Sequence, residues 1–284
     1  MARPLRAFRD LAVRSAGAAG AAVLVLALGG AAVPSAPRPP ARSTAPAVLG
    51  ADISYPQCSA PPPAGAAFGV VGLNHGISTT TNPCLQSQLG WAAGTTGGTA
   101  QAKVQLYVNT ADPAAPAPAR LPAGWPTSGA TPYGTCTGHA TPACAWQFGW
   151  GLAGDDVAER FAPAARAAGL PSAASDYTWW LDVEVANTWQ ADTTQNRAVL
   201  EGMTASFAAQ GARVGIYSTA KQWGRIVGST PSTSPLAALP EWLPGATTAI
   251  AAESLCMRRP FTGHGRIVLT QYLSTVDGDY SCGG

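Results

Sequence analysis

Thr178-Trp179-Trp180-Leu181-Asp182-Val183-Glu184-Val185 is an apolar run interrupted by two carboxylates two positions apart. Its aromatic and β-branched residues favour a strand. Side chains alternate across a strand, so Trp180, Asp182 and Glu184 share one face and Leu181, Val183 and Val185 the other. An apolar second face has to be covered, as it is in a sheet packed against helices. The acids are then expected to point into a barrel at the strand's C-terminal end, with Trp180 beneath them. The competing arrangement is an edge strand with both acids in water.

Around this run the chain repeats a rhythm of short β-rich segment, polar turn and helical stretch. Strands are expected at Gly50–Ser54, Phe68–Asn74, Lys103–Asn109, Thr178–Val185, Arg213–Thr219 and Ile267–Leu273, with shorter ones near Glu241–Leu243 and Ala249–Ala252. Helices are expected at Cys84–Ala93, Asp155–Ala168, Gln195–Gln210 and Ala220–Val227. Asp155 and Asp156 stand where an N-cap and a first-turn acid belong, and Gly169, Gly211 and Gly228 where a helix-ending glycine belongs. Strands alternating with helices imply a parallel sheet. The expected fold is therefore α/β, a single TIM-like (β/α) barrel with some irregularity and disulfide-stapled loops. A doubly wound open sheet is the runner-up, weakened because no G-x-G-x-x-G follows the first strand. Ala111–Pro142, crowded with Pro, Gly and Thr, breaks the rhythm and reads as a long ordered loop over one face.

Charged residues make up only 11% of the 284 residues, against 46% hydrophobic and nine Trp, enough for a core. The formal charge of +2 is unevenly spread. Residues 1–47 hold six Arg and one Asp, which leaves 11 basic and 14 acidic residues for the rest. A mildly acidic body without a basic stripe excludes nucleic acid as an expected partner. Met1–Arg14 is basic, Ser15–Pro37 is uncharged with its most apolar stretch at Ala21–Leu28, and small residues follow at Ala31, Ala32, Ser35 and Ala36. That order is a secretory signal over 1–36, followed by a Pro/Ala-rich linker over 37–47 and the barrel domain over 48–284. A secreted or wall-associated protein is expected. A membrane is met only through the N-terminal segment, where that segment is retained as an anchor.

Cys58, Cys84, Cys136, Cys144, Cys256 and Cys282 all lie in the body. An even count in an exported chain favours disulfides, and proximity in sequence suggests Cys58–Cys84, Cys136–Cys144 and Cys256–Cys282. Zinc is disfavoured by spacing, since no two Cys are separated by two to four residues and there are three His. No metal or cofactor is expected. Neither is a Ser or Cys hydrolase: there is no Gly-x-Ser-x-Gly elbow, and His75, His139 and His264 have no evident acid partner.

With 14 body carboxylates, each position is informative. Asp155, Asp156, Glu159 and Glu201 read as solvated acids on or beside helices. Asp52, in Gly50-Ala51-Asp52-Ile53-Ser54, has a setting like that of Asp182, and Asp277 and Asp279 follow the last strand in a Gly-containing turn. First and last strands are neighbours in a barrel, so these acids are expected to converge on Asp182 and Glu184. Two adjacent buried acids repel, so Glu184 is the candidate general acid beside an ionised Asp182. Asn74, Asn109, Tyr217 and Gln271 lie near strand C-termini and, with Trp180, would supply the amides and rings that read and stack on sugars.

Gly50-Ala51-Asp52-Ile53-Ser54-Tyr55-Pro56-Gln57, Leu181-Asp182-Val183-Glu184, Gly215-Ile216-Tyr217-Ser218 and Thr270-Gln271-Tyr272 with its Asp-Gly-Asp together resemble glycoside hydrolase family 25, the lysozyme (N-acetylmuramidase) family. The resemblance is strongest to a secreted actinobacterial group. It implies a (β/α) barrel that hydrolyses the β-1,4 bond after N-acetylmuramic acid in peptidoglycan; a monomer is expected. By that resemblance Glu184 is the proton donor, Asp182 steadies the acetamido group during neighbouring-group attack, Asp52 is the first-strand acid, and Asp277 or Asp279 is the acid after the last strand. Tyr217 and Gln271 would line the cleft. The alternative is an inactive barrel that binds wall glycan.

Overall fold

The computed structural model describes residues 49–114 and 121–283. The expected signal, the linker and the start of the domain at 48 lie outside these residues, as do residues 115–120 of the long loop. Strands β1 (Leu49–Ile53), β2 (Gly69–Gly72) and β3 (Val104–Asn109) come first, with helix α1 (Leu85–Ala93) between the last two. A small hairpin, β4 (Ala130–Thr131) and β5 (Gly134–Thr135), precedes α2 (Pro142–Asp155), a π turn over Asp156–Phe161 and α3 (Ala162–Ala167). There follow β6 (Thr178–Asp182), α4 (Thr193–Ala209), β7 (Arg213–Tyr217), α5 (Ala220–Ile226), β8 (Glu241–Ala246), α6 (Ala249–Leu255), β9 (Ile267–Tyr272) and β10 (Gly278–Ser281). Among the described residues no helix is long and apolar enough to cross a membrane.

Eight strands close a barrel in the order β1-β10-β9-β8-β7-β6-β3-β2, which excludes the open doubly wound sheet. The expectation of a wholly parallel sheet needs correction, because β10 runs antiparallel to both β9 and β1. Only Leu273–Asp277 joins β9 to β10, too short for a crossover helix, so the chain turns back as a hairpin. Asp279, expected in a turn, is consequently a strand residue of β10.

The sheet separates two apolar regions. Outside it, Leu181, Val183, Leu106 and Ile216 pack with Leu152, Phe161, Leu200 and Phe207 of the helices. Inside, Phe68, Val70, Trp180, Trp242 and Leu269 fill the lower barrel. Space for the inner rings comes from glycines. A Cβ on Gly50 would overlap the Phe68 ring, and one on Gly215 the Trp180 ring. Trp180 Nε1 donates to Gln105 Oε1 at 2.9 Å, satisfying its one polar atom in the dry interior.

One strand expectation and one helix expectation fail for physical reasons. Ala249–Ala252 is helical rather than extended, since Thr248 Oγ1 caps it by accepting from Ala251 N at 3.2 Å. The helix expected from Asp155 starts instead at Pro142, capped by Thr141. Its three glycines hide it from propensity, but Gly149 is needed where α2 crosses α4. Asp155 is thus the end of a helix, not a cap. The π turn that follows sits just before Pro163, which has no N–H and whose ring would press on the Glu159 carbonyl in a regular helix. Gly169, Gly211 and Gly228 do end helices, at φ of 71°, 75° and 71°. The disulfides pair as expected, Cys58–Cys84, Cys136–Cys144 and Cys256–Cys282.

The α2–α4 crossing generates a prediction. A Cβ on Gly149 would strike the Val199 carbonyl, and one on Gly202 the Trp146 carbonyl, backbone atoms that cannot rotate aside. Ala in place of Gly gains about 1 kcal/mol of helix propensity, whereas overpacking costs about 1–3 kcal/mol or more. Gly202→Ala is therefore expected to lower the denaturation midpoint, while Gly151→Ala, with nothing near its added Cβ, raises it. Equal shifts in urea titrations of the two variants would contradict the close crossing.

Candidate active site

The C-terminal ends of the parallel strands surround a cavity of about 160 Å³ lined by Asp52, Tyr107, Asp182, Glu184, Tyr217, Trp242, Gln271 and Asp277. Alternation along β6 places Trp180 below and Asp182 above on the inward face, and Glu184 follows just past the strand end. The edge-strand alternative is excluded, since β6 pairs with β3 on one side and β7 on the other. Leu181 and Val183 pack outward as expected, but Val185 is exposed, because β6 has already ended.

Several backbone groups around the acids are tied down. The Asp182 carbonyl accepts from Thr110 Oγ1 at 2.5 Å and Asn187 Nδ2 at 3.1 Å, and the Val183 carbonyl from Ser218 Oγ at 2.7 Å. Trp189 Nε1 donates to the Glu184 carbonyl at 2.7 Å. Gln222 of α5 accepts from Val185 N at 2.7 Å and donates to Glu184 Oε1 at 3.3 Å. The Glu184 side chain is thus oriented from the next βα unit while staying half-buried at the cavity.

The other acids are held by amides. Asn109 Nδ2 donates to Asp182 Oδ2 at 2.8 Å, a contact set by the β3–β6 register that aligns the two residues. Asp182 Oδ1 is buried with no partner. Tyr217 O–H donates to Gln271 Oε1 at 2.8 Å, and Gln271 Nε2 donates to Asp52 Oδ2 at 2.9 Å. Asp279 is fully buried beneath Asp52, its carboxyl oxygens lacking partners of hydrogen-bond geometry, with the Trp242 indole and Asp52 as its polar neighbours. Asp277 stands at the exposed rim and lines the cavity, so it is Asp277, not Asp279, that faces the open space.

Burial in the barrel mouth favours the neutral form of these acids. It pushes Asp52 up to about 8, with the charge of Asp277 adding to the shift and the Gln271 bond opposing it. It raises Asp182 and Asp279 well above the usual carboxylate range, with Glu184 and Asp52 respectively adding repulsion. Burial thus favours the proton on Asp182, the more enclosed member of the pair, where an ionised Asp182 was expected.

Four other expectations change. Asn74 does not reach the cavity; its carboxamide is buried among Ser78, Thr80, Asp156 and Asn109. Trp180 is 1% exposed and acts as the floor under the acids, not as a wall of the cavity. Asp156 is fully buried and ion-paired with Arg160 at 3.0 Å rather than solvated. Glu201 is also buried, accepting from Tyr133 O–H at 2.8 Å and Ser234 Oγ at 2.6 Å. Tyr107 and Trp242 line the cavity without having been singled out from sequence. Tyr107 was legible, being two residues before Asn109 on the same strand face, whereas nothing local distinguished Trp242 from other core tryptophans. Among the described residues no cluster of three or more His, Cys, Asp or Glu is arranged to hold a metal ion.

Residues 172–243, which contain β6 and β7 and the start of β8, match the sequence model of a family described as Lysozyme-like protein 1. The chain is 49% identical over 51 residues to Lysozyme-like protein 5 of Caenorhabditis elegans, covering 18% of this chain and 23% of that protein. It is 39% identical over 49 residues to Probable GH family 25 lysozyme 4 of Dictyostelium discoideum, covering 17% and 22%. The chain thus spans less than a quarter of the length of these curated relatives. Among solved structures it is similar to a muramidase from Trichobolus zukalii, at TM-score 0.51 and 17% identity, covering 84% of this chain and 95% of that one. A bacterial lysozyme from Streptomyces coelicolor matches at TM-score 0.51 and 18% identity, covering 84% and 93%. The structural likeness is one of fold, and the likeness of sequence to lysozyme-like proteins includes the segment that carries Asp182 and Glu184.

Proposed function

We propose that the protein is an exported glycoside hydrolase that cleaves β-1,4 bonds of peptidoglycan in the manner of a muramidase. The observation that carries this reading is the convergence of Asp52, Asp182, Glu184 and Asp277 on one open cavity walled by Tyr107 and Tyr217 over Trp242. Rings offer flat apolar faces to sugars, and the carboxyls supply proton transfer and charge where a glycosidic bond breaks. The uncharged run after the basic N-terminus and the three disulfides support export, as in the actinobacterial group that the sequence resembles. The protein acts as a monomer on a wall polymer.

In the proposed reaction Glu184 gives its proton to the glycosidic oxygen as the C1–O bond breaks. The carbonyl oxygen of the substrate's own acetamido group attacks C1, which spares the protein a nucleophile. The Asp182 carboxyl, at the cavity wall, receives the acetamido N–H. That hydrogen bond favours the ionised form of Asp182, which moves the proton of the acid pair toward Glu184 as substrate enters. Water then opens the intermediate, with Glu184 taking back the proton. Asp52, kept neutral by burial and oriented by Gln271, presents a hydroxyl-like donor to the sugar.

Clearing of cell-wall suspensions tests the assignment. Glu184→Gln is expected to slow clearing about 10²–10⁴-fold, the usual contribution of a general acid. Equal clearing by variant and wild type would sink it, and retention on wall glycan without release of reducing ends by wild type would point to the binding barrel instead.

The raised carboxyls also fix a pH dependence of stability. A group whose folded value lies above its unfolded one stabilises the fold while protonated and loses that contribution as pH rises through the folded value. Asp52 rises from 3.8 to about 8 and Asp156 to about 7, so their contribution fades between about pH 4 and 8. The melting temperature is expected to fall from pH 5 to pH 8, and less steeply in Asp52→Asn. Parallel melting profiles for wild type and Asp52→Asn would contradict the burial argument.

A further inference from the structure

A continuous polar chain leads from the outer helix layer to the cavity. The π turn after α2 carries Asp156 inward, where its side chain is fully buried. Asp156 Oδ1 accepts from Arg160 Nη1 at 3.0 Å and from Asn74 Nδ2 at 3.3 Å. The Ser78 and Thr80 carbonyls also face Asn74 Nδ2, at 3.1 and 3.0 Å, so its two hydrogens are shared among three acceptors. With acceptors only on its nitrogen side, the carboxamide must turn Oδ1 the other way, where it accepts from Asn109 N at 2.8 Å. The opposite orientation would set N–H against N–H. Asn109 Nδ2 then donates to Asp182 Oδ2 at 2.8 Å. Arg160 adds a second tie by donating from Nη2 to the Thr79 carbonyl at 3.1 Å.

The fold alone does not require this chain. A buried carboxylate paired with one Arg is costly to place, and an apolar side chain would fill the space between helix and sheet. Its other oxygen, Oδ2, is buried with no partner, so the group is not there to satisfy the helix. What the arrangement does achieve, together with the Ser78 and Thr80 carbonyls, is a single orientation of Asn74, and through it of the amide nearest to Asp182.

We propose that Asp156 is a positioning residue of the cavity, acting through Asn74 and Asn109 to hold the hydrogen bond on Asp182 Oδ2. The Asp182 carboxyl is consequently held in one direction at the cavity wall. The role in turnover rests on the hydrolase reading above; the coupling to Asp182 does not. The charged groups that bear on Asp156 are Arg160, which favours its carboxylate, and Asp155, which opposes it.

The test uses Asp156→Ala, Asp156→Asn, Asn109→Ala and the Asp156→Ala/Asn109→Ala double variant in the full chain. Two quantities are read: the titration midpoint of Asp182, from carboxyl-carbon NMR assigned with Asp182→Asn, and kcat and KM on solubilised peptidoglycan fragments. Loss of the Asn109 bond disfavours the ionised form, so the Asp182 midpoint is expected to rise in Asp156→Ala, and kcat to fall about 2- to 30-fold with KM little changed. The double variant is expected to match Asn109→Ala, since both changes break one chain. Asp156→Asn keeps an oxygen for Asn74 and is expected to restore most of both quantities. Should Asp156→Ala not fold, Asp156→Leu, which fills the space but offers Asn74 no acceptor, takes its place: an Asp182 midpoint raised toward that of Asn109→Ala supports the relay, and one equal to wild type overturns it. A lowered melting temperature with an unmoved Asp182 midpoint, or effects of Asp156→Ala and Asn109→Ala that simply add, overturns the proposal. If wild type releases no reducing ends while the Asp182 midpoint still moves, the relay stands and the hydrolase reading fails.

Discussion

Inward positions of a closed barrel have to be filled, and this barrel fills them unevenly. Phe68, Trp180, Trp242 and Leu269 occupy the lower interior, two of the rings lying over glycines that leave room for them. Because side chains alternate, the next inward position on β6 above Trp180 is Asp182, and then Glu184. Aromatic bulk below therefore sets where the acids stand and removes water from beneath them. The raised position of Asp182 and of Asp52 follows from that, since a carboxylate over a dry aromatic floor has little to solvate it. Fold stability and site electrostatics thus share one cause, and the acids stay in place because their backbones are pinned from neighbouring strands and loops.

The antiparallel β10 matters to the same site. By returning as a hairpin from β9 it brings Gln271 opposite Asp279 and Gly50 opposite Asp279 on the other side. A single short connection thereby delivers Asp277 to the rim and a fully buried carboxyl below Asp52. Asp52 and Asp279 repel when both are charged, which holds protons in this part of the barrel to higher pH.

Seven of the eight barrel strands were legible in sequence because each is a short β-rich run ended by a polar turn, and the inward direction of Asp182 and Glu184 followed from alternation on an apolar strand. What was not legible depended on distant partners. Asn74 at a strand end looked like a ligand for substrate, but a buried Asp156 claims it, and no local signal shows that Pro163 forces a π turn that aims that acid inward. Glu201 looked solvated on a long helix until Tyr133 and Ser234 met it from loops remote in sequence. The start of α2 was hidden because Gly149 lowers helix propensity while serving a crossing that only the tertiary structure reveals. Asp279 was placed in a turn since the hairpin is decided by the length of a connection, not by residue type.

The central claim is that Asp182 and Glu184 act on one sugar unit from the cavity mouth. A crystal structure of Glu184→Gln soaked with a peptidoglycan oligosaccharide addresses it most directly. The account predicts an N-acetyl group with its N–H about 3 Å from the Asp182 carboxyl and a glycosidic oxygen within similar reach of the residue-184 side chain. Glycan bound elsewhere on the barrel, with the cavity between Asp52, Asp182 and Asp277 left empty, would contradict it.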